Sequence, residues 1–428
     1  MVAENIQRTI LPNGIRILSE YVDSIYSVSL GFWILAGSQD EEVNENGIAH
    51  LLEHMVFKGT KKRSAFAIAH EIESLGGILN AFTSRNVTCY HVQLLYENLA
   101  KGVDVLSDLI LNGRFDHNEL EKEKGVIIEE IREIEDTPHD LIHDLFTQQI
   151  FPEQAIGRPI QGTVESVSKV QICDLKRFLK LHYTADRLVI AAAGRVDHTQ
   201  LVQLVTKYCH EMAKGTADRA ETPSEIVPES LKIYKKDIQQ THIILGRRIF
   251  GQSDTRRFQL GLLNMILSGG MTSRLFHNIR EKYGFVYEVY SFTDLFLKNG
   301  LFGIYAGIEK DRLRMIVDKI YAEMAALYLK PIPVRELKKA KQQSKGGLVL
   351  AIENMNARMS NLAKMEIYEK RILTIAELLE IIDKITLDEL RELARYLFDP
   401  DAFIETIILP SENKMKAPVD VNNNLVGV

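Results

Sequence analysis

The residues with the clearest chemical potential are His50, Glu53 and His54, within the segment Asn46 to Phe57 (NGIAHLLEHMVF). Leu51, Leu52, Met55 and Val56 recur at helical spacing and form an apolar side, leaving the two histidines and the glutamate opposite. Four residues make slightly more than one turn, so both imidazoles project from one face with Glu53 beside them. Two neutral imidazoles at this spacing suit zinc, and the neighbouring carboxylate can reach a water at the metal without taking a coordination position. A helix that merely displays two surface histidines is the plainer alternative at this point.

A second segment, Glu121 to Glu135 (EKEKGVIIEEIREIE), continues a helix opened by Asp116, which has capping-box spacing to Glu119. An advance of about 100° per residue puts Val126, Ile127, Ile131 and Ile134 on one stripe and places Glu123 and Glu130 inside it. Glu129 and Glu133 turn to its edge or to solvent. A buried carboxylate without a partner is costly, so these two require a cation or strong donors. A metal with its imidazoles would serve; so would a buried ion pair with a lysine or arginine from elsewhere.

The elements that must hold these groups follow a duplicated order. The stretch Lys214 to Ser230 (KGTADRAETPSEIVPES) is poor in large apolar groups and divides the 428 residues almost in half. Across it, His70, Ile72 and Gly76-Gly77 match His277, Ile279 and Gly284 at an offset of 207, and Asn118 to Lys124 matches Arg335 to Lys341 at 217. Two copies of one domain are expected: residues 1–213, a linker 214–230, and residues 231–428. In the first copy, strands run from Arg8 to Leu18 around Pro12-Asn13-Gly14 and from Ser27 to Ala36, and Leu188 to Ala193 closes the set as Phe403 to Leu409 does in the second. Strands interleaved with long helices give an α+β class, each copy a mixed, mainly antiparallel sheet with helices on one face. From Lys414 onward the tail has little to bury.

Composition narrows the functional classes. With 46% hydrophobic and 26% charged residues the chain is globular, and a net charge of -6 argues against nucleic acid as a partner. The basic run Lys58 to Arg63 reads as a solvated loop. Three scattered cysteines, no signal-peptide pattern and no apolar run of spanning length point to a soluble cytoplasmic chain with no membrane partner.

HxxEH followed by Glu130, 76 residues beyond His54, resembles the pitrilysin-like inverzincin metallopeptidases. The likeness extends over nearly the whole chain, through Gly47 to Met55, Val126 to Ile131, Gly269 to Phe276 and Arg280 to Tyr287. By layout it is nearest to bacterial members and to the catalytic subunit of mitochondrial processing peptidase. The resemblance implies a zinc endopeptidase or oligopeptidase acting on extended or unfolded peptides, with one zinc ion held by His50, His54 and Glu130 and with Glu53 activating the attacking water. It implies that Glu123 orients a ligand imidazole or tunes the charge beside the metal, and that Arg280 and Tyr287 reach from the second domain to the substrate and the developing oxyanion. It also implies that Ile78 to Tyr90 holds the strand whose edge accepts the substrate, with Asn80, Ala81 and Phe82 in contact. Asn86 stands where many relatives carry glutamate, which removes a charge preference from that place. The two domains are expected to form half of a clamshell, completed as a homodimer or by an inactive homologous subunit.

Other signals carry less. His139 and His143 have i, i+4 spacing after a helix start at Thr137-Pro138, but no glutamate partner follows, and Asp140 and Asp144 can satisfy them at the surface. Gly269-Gly270 lacks the rest of a phosphate loop and reads as a turn, and Met355 to Glu366 as a core-facing helix. The competing functional class is a non-catalytic scaffold or partner subunit, against which the intact HxxEH stands.

Overall fold

In the computed structural model, which describes residues 5–215, 228–284, 286–369 and 371–411, the apolar runs of the sequence form two sheets. Most of the expected linker, residues 216–227, and the tail from Lys414 lie outside the described residues. The first sheet contains β1 (Asn5–Ile10), β2 (Arg16–Tyr21), β3 (Ser27–Ile34), β4 (Ile78–Thr83), β5 (Thr88–Leu95) and β6 (Leu188–Gly194), in the order β1-β2-β6-β3-β5-β4. The second contains β7 (Leu231–Lys236), β8 (Thr241–Phe250), β9 (Val286–Leu295), β10 (Asn299–Ile308) and β11 (Ile404–Pro410), in the order β7-β11-β8-β10-β9. Without β1 the two orders coincide strand for strand. Even the single parallel pairing recurs, β2 with β6 and β7 with β11. The duplication read from weak sequence matches is therefore a duplication of topology.

Helices follow the same plan. The first half carries α1 (Ile48–Val56), α2 (Ala65–Glu73), α3 (Leu99–Asn112), α4 (His117–Asp136), α5 (Pro138–Ile150), α6 (Val164–Lys169), α7 (Ile172–His182) and α8 (His198–Cys209). The second carries α9 (Arg257–Ser268), α10 (Leu313–Leu329), α11 (Val334–Ala351), α12 (Met355–Lys364), α13 (Ile375–Lys384) and α14 (Leu387–Leu397). α4 and α11 begin at residues 117 and 334, the 217-residue offset found in the sequence.

One face of each sheet packs on helices of its own half. Phe32, Ile34, Tyr90 and Ile190 meet Leu51, Leu52, Met55 and Ile127 in the first core, and Phe302 and Ile304 meet Leu263 and Leu267 in the second. The other face is covered from across the chain. Met359, Leu362 and Ala363 of α12 pack on Leu18, Trp33, Val189 and Ala191 of the first sheet. Ile142, Phe146 and Ile150 of α5 pack on Ile244, Tyr305, Ile404 and Ile408 of the second. Both exchanges rest on a glycine that lets a helix approach a strand closely. A Cβ at Gly31 would lie 2.5 Å from Met359 Sδ, and one at Gly246 would lie 2.4 Å from Phe146 Cζ. Each fully buried side chain of this kind contributes about 1.5–3 kcal/mol, so each half draws part of its core from the other.

Three local expectations are corrected. Val126 is 43% exposed; the buried stripe of α4 is Leu120, Glu123, Lys124, Ile127 and Ile131, the i, i+3/i+4 series from which Val126 is displaced by one helical step. The run from Ile78 to Tyr90 is not one strand but β4, a turn and the start of β5, joined as an antiparallel hairpin. The basic run is only partly solvated: Arg63 is drawn inward by Glu71, Asp104 and Asp108, and Lys58 by Glu123.

Candidate metal and active site

α1 is fixed at its start by a residue that sequence reasoning missed. The Glu41 carboxylate accepts the backbone N–H groups of Gly47 and Ala49 and the Asn46 side-chain amide, each at 2.9 Å. The two backbone groups are donors that an α-helix leaves unpaired at its N-terminus. Burial pushes the Glu41 carboxyl up to about 8, against the three donors that favour its ionised form. An acidic group just before a helix was the available signal, but the folding back of residues 41–46 was not.

On the helix so placed, Ile48, Ala49, Leu51, Leu52, Met55 and Val56 are buried, and His50 and His54 emerge on the side that faces α4. There Glu130 Oε2 lies 3.9 Å from His50 Nε2, and Glu130 Oε1 lies 3.9 Å from His54 Nε2. The ligand atoms of all three residues fall within 4.8 Å of one another, the one such group of three among the described residues. These separations are too long for hydrogen bonds. They approach the spacing of about 3.4 Å between two ligands that share a tetrahedral zinc ion at about 2.1 Å from each. Two imidazoles and a carboxylate are also a zinc donor set, so the residues fit the metal. Glu130 is 38% exposed at its side chain, less interior than the stripe predicts, because it borders the cleft and not the core.

The electrostatics agree with this use. Burial, and then the neighbouring His54, lower the His50 pKa to about 4, which keeps the ring neutral as a ligand must be. His50 Nδ1 is buried without a hydrogen-bond partner. His54 differs: its Nδ1 lies 3.2 Å from Glu123 Oε2, so a proton on Nδ1 leaves the Nε2 lone pair facing Glu130. The buried Glu123 carboxylate thus lies directly beside the His54 ring. Glu53 stands outside the ligand group, and Thr83 Oγ1 donates to its Oε2 at 2.5 Å. Burial raises the Glu53 pKa, an effect partly offset by the Thr83 hydrogen bond and by His54. Thr83 was not singled out from sequence, although it ends the strand that carries Asn80, Ala81 and Phe82.

That strand, β4, is an edge of the first sheet. Leu79 and Ala81 pack on the core, while Asn80 and Phe82 turn away from it and are exposed. The Ala81 N–H is taken by the Asn80 side-chain oxygen at 2.8 Å. Phe82 lines a cavity of about 550 Å³ together with Trp33, Arg85, Phe296, Lys364 and Tyr368, which come from both halves. Asn86 is buried in the β4–β5 turn and its side-chain amide donates to Gln39 Oε1 at 2.7 Å.

Two expected contributors are not joined to this group. Arg280 lies in a π-helical turn (Phe276–Glu281), its guanidinium over the Phe276 ring, and Tyr287 is 57% exposed at the start of β9. Among the described residues neither makes a hydrogen bond or ion pair with His50, Glu53, His54 or Glu130. The second histidine pair also differs from expectation. His139 does meet Asp140, but His143 is largely buried and its Nε2 meets Tyr290 Oη at 2.9 Å, while Asp144 faces Arg85. α5 packs on the second sheet, which turns an apparent surface histidine into part of the joint between the halves.

Comparison with known proteins agrees with this geometry. Residues 16–164 match the family described as Insulinase (Peptidase family M16), and residues 169–344 match that described as Peptidase M16 inactive domain. A Bacillus subtilis protein described as an uncharacterized zinc protease is 37% identical over 408 residues, 95% of this chain and 99% of that protein. A Streptomyces coelicolor protein with the same description is 36% identical over 400 residues, 91% of this chain and 86% of that one. Among solved structures, a protease from Helicobacter pylori superposes with a TM-score of 0.87 at 19% identity, covering 95% of this chain and 100% of that chain. A Pseudomonas fluorescens structure described as a peptidase M16 inactive domain gives 0.88 at 19% identity, covering 95% and 98%. No helix among the described residues is long and apolar enough to cross a membrane. Matched by these family profiles over most of its length and by such relatives throughout, the chain belongs to the M16 (insulinase/pitrilysin) peptidase family and has that family's two domains.

Proposed function

We propose that this chain is a zinc-dependent endopeptidase or oligopeptidase that hydrolyses extended or unfolded peptides. The observation that carries the reading is the convergence of His50, His54 and Glu130 within 4.8 Å, with Glu53 on the same turn of α1 but outside the ligand group. Zinc, when held by those three residues, supplies a Lewis acid that makes water a nucleophile near neutral pH and polarises the scissile carbonyl. Glu53 takes the proton from that water and delivers it to the leaving amine, and its raised pKa suits a group that must both accept and return a proton. Thr83 holds one oxygen of Glu53 and so leaves the other to the reacting proton. The edge of β4 binds the substrate as an added strand, through the backbone around Asn80, Ala81 and Phe82. Arg280 and Tyr287, both exposed, act on the substrate and the oxyanion once the second domain closes on the first.

The catalytic domain spans residues 1–213, a linker residues 214–230, and the second domain residues 231–428. The chain works in the cytoplasm, which suits its three free cysteines, and pairs as a homodimer to close the clamshell. The test is hydrolysis of a quenched fluorescent peptide by the parent and by Glu53→Gln, with zinc content measured on both. Hydrolysis should fall by about 10³-fold while one zinc per chain is retained. Equal rates would remove Glu53 from the mechanism, and a parent that binds zinc but cleaves nothing would favour a non-catalytic partner subunit.

A further inference from the structure

The short basic run after α1 was read from the sequence as solvated, yet its first residue is engaged at the metal group. Lys58 follows His54 by four residues, one further turn along the same direction, and its backbone N–H still bonds to the Met55 carbonyl. Its ammonium lies 2.7 Å from Glu123 Oε1, with side-chain exposures of 31% for Lys58 and 7% for Glu123. The other oxygen, Oε2, meets His54 Nδ1 at 3.2 Å. Lys58 and His54, both on the α1 side, thus grip the two oxygens of one carboxylate on α4. Glu123 lies seven residues, two helical turns, before Glu130 on the same helix, so this grip also sets how α4 presents Glu130 to the imidazoles. His50 has no comparable support, since its Nδ1 is buried without a partner.

We infer that Lys58 is a positioning residue of the metal site: by occupying Glu123 Oε1 it turns Oε2 to His54 Nδ1 and thereby aims His54 Nε2 at the ion. The inference rests on the zinc reading above and adds to it a residue and a sign. Through charge alone, a lysine near a bound divalent cation repels it, so removing the lysine should tighten binding. Through orientation the opposite holds. A released Glu123 carboxylate no longer fixes the ring, and loss of a group that orients a metal-ligating histidine weakens affinity by about 10–100-fold. The direction of the change therefore separates the two roles.

The experiment measures zinc affinity of the full chain by competition with a chromophoric chelator at constant pH and salt, with thermal unfolding of each metal-free protein in parallel. Lys58→Met should weaken zinc binding about tenfold while the metal-free protein, although it loses one partner of the buried Glu123 carboxylate, stays folded at the assay temperature in a single cooperative transition, and Lys58→Gln, a second neutral variant, should do the same. Lys58→Arg, which keeps a donor for Oε1, should stay within about threefold of the parent. In a Glu123→Gln background, Lys58→Met should add almost nothing, because the two side chains act through one contact. Unchanged or tighter binding in both neutral variants would overturn the inference, as would full additivity with Glu123→Gln. His54→Ala is the control on the underlying reading. If it leaves zinc affinity intact, the metal-site assignment itself fails; if it abolishes binding while the Lys58 variants bind as the parent does, only the role of Lys58 falls.

Discussion

The two halves share a strand order and a helix plan, yet among the described residues only the first brings together side chains that could hold a metal ion. In the first, α1 and α4 bring His50, Glu53, His54, Glu123 and Glu130 to one cleft. The offsets between the repeats set these residues opposite Arg257, Leu260, Gly261, Ala340 and Gly347 on α9 and α11. There Leu260 and Ala340 are buried in the second core, and Arg257 is spent on an ion pair with Glu369 at 2.8 Å. The scaffold is therefore set by apolar faces common to both copies, while the chemistry resides in a few positions that those faces leave free.

Where the halves remain alike is in their dependence on each other. α5 leaves the first half to cover the second sheet, and α12 returns the exchange, each over a glycine, Gly246 in β8 and Gly31 in β3. Through this exchange each half contributes to the core of the other.

The largest effect expected from breaking the comparison is at the metal. Glu130→Ala should lower zinc affinity on the order of a thousandfold, about 4 kcal/mol, in chelator competition, whereas Gly347, its counterpart on α11, should be indifferent to zinc. Next come the exchanged helices. Phe146→Ala and Met359→Ala should each cost about 3 kcal/mol in denaturant unfolding, and both should lower the same single transition, since each removes a side chain from a core shared by the two halves. A smaller effect is pH-dependent. Burial, and then His139, lower the His143 pKa to about 4 from an ordinary 6.5, so the fold favours the neutral ring. Its contribution should be complete above about pH 6.5 and should fall, by on the order of 2 kcal/mol, as the pH drops towards 4. His143→Gln should flatten that part of the stability profile. The smallest expected effect is a gain: a Cβ at Gly347 meets nothing within 4 Å, so Gly347→Ala should stabilise α11 by about 0.5–1 kcal/mol in thermal unfolding and leave hydrolysis unchanged.

His50 and His54 stand out in the sequence because their spacing is a property of one helix, and Glu123 and Glu130 because charged residues in an apolar stripe are conspicuous. The duplication was visible because a few histidine, isoleucine, glycine and charged positions recur at nearly constant offsets. What stayed hidden depends on contacts between distant segments. Thr83 reaches Glu53 only when β4 lies beside α1, Glu41 caps α1 only after the loop at residues 41–46 folds back, and Lys58 looked solvated because its partner is 65 residues away. The exchange of α5 and α12 was invisible because a helix's apolar face does not name the sheet it will cover. His143 was misread on that account: its environment belongs to the second sheet.

The most direct test of the central claim is anomalous diffraction at the zinc absorption edge from crystals of the full chain grown with zinc. One strong peak per chain is expected, within about 2.1 Å of His50 Nε2, His54 Nε2 and a Glu130 oxygen, with none between α9 and α11. A peak held by other residues, or Glu130 beyond bonding distance with no other side chain in its place, would contradict the account.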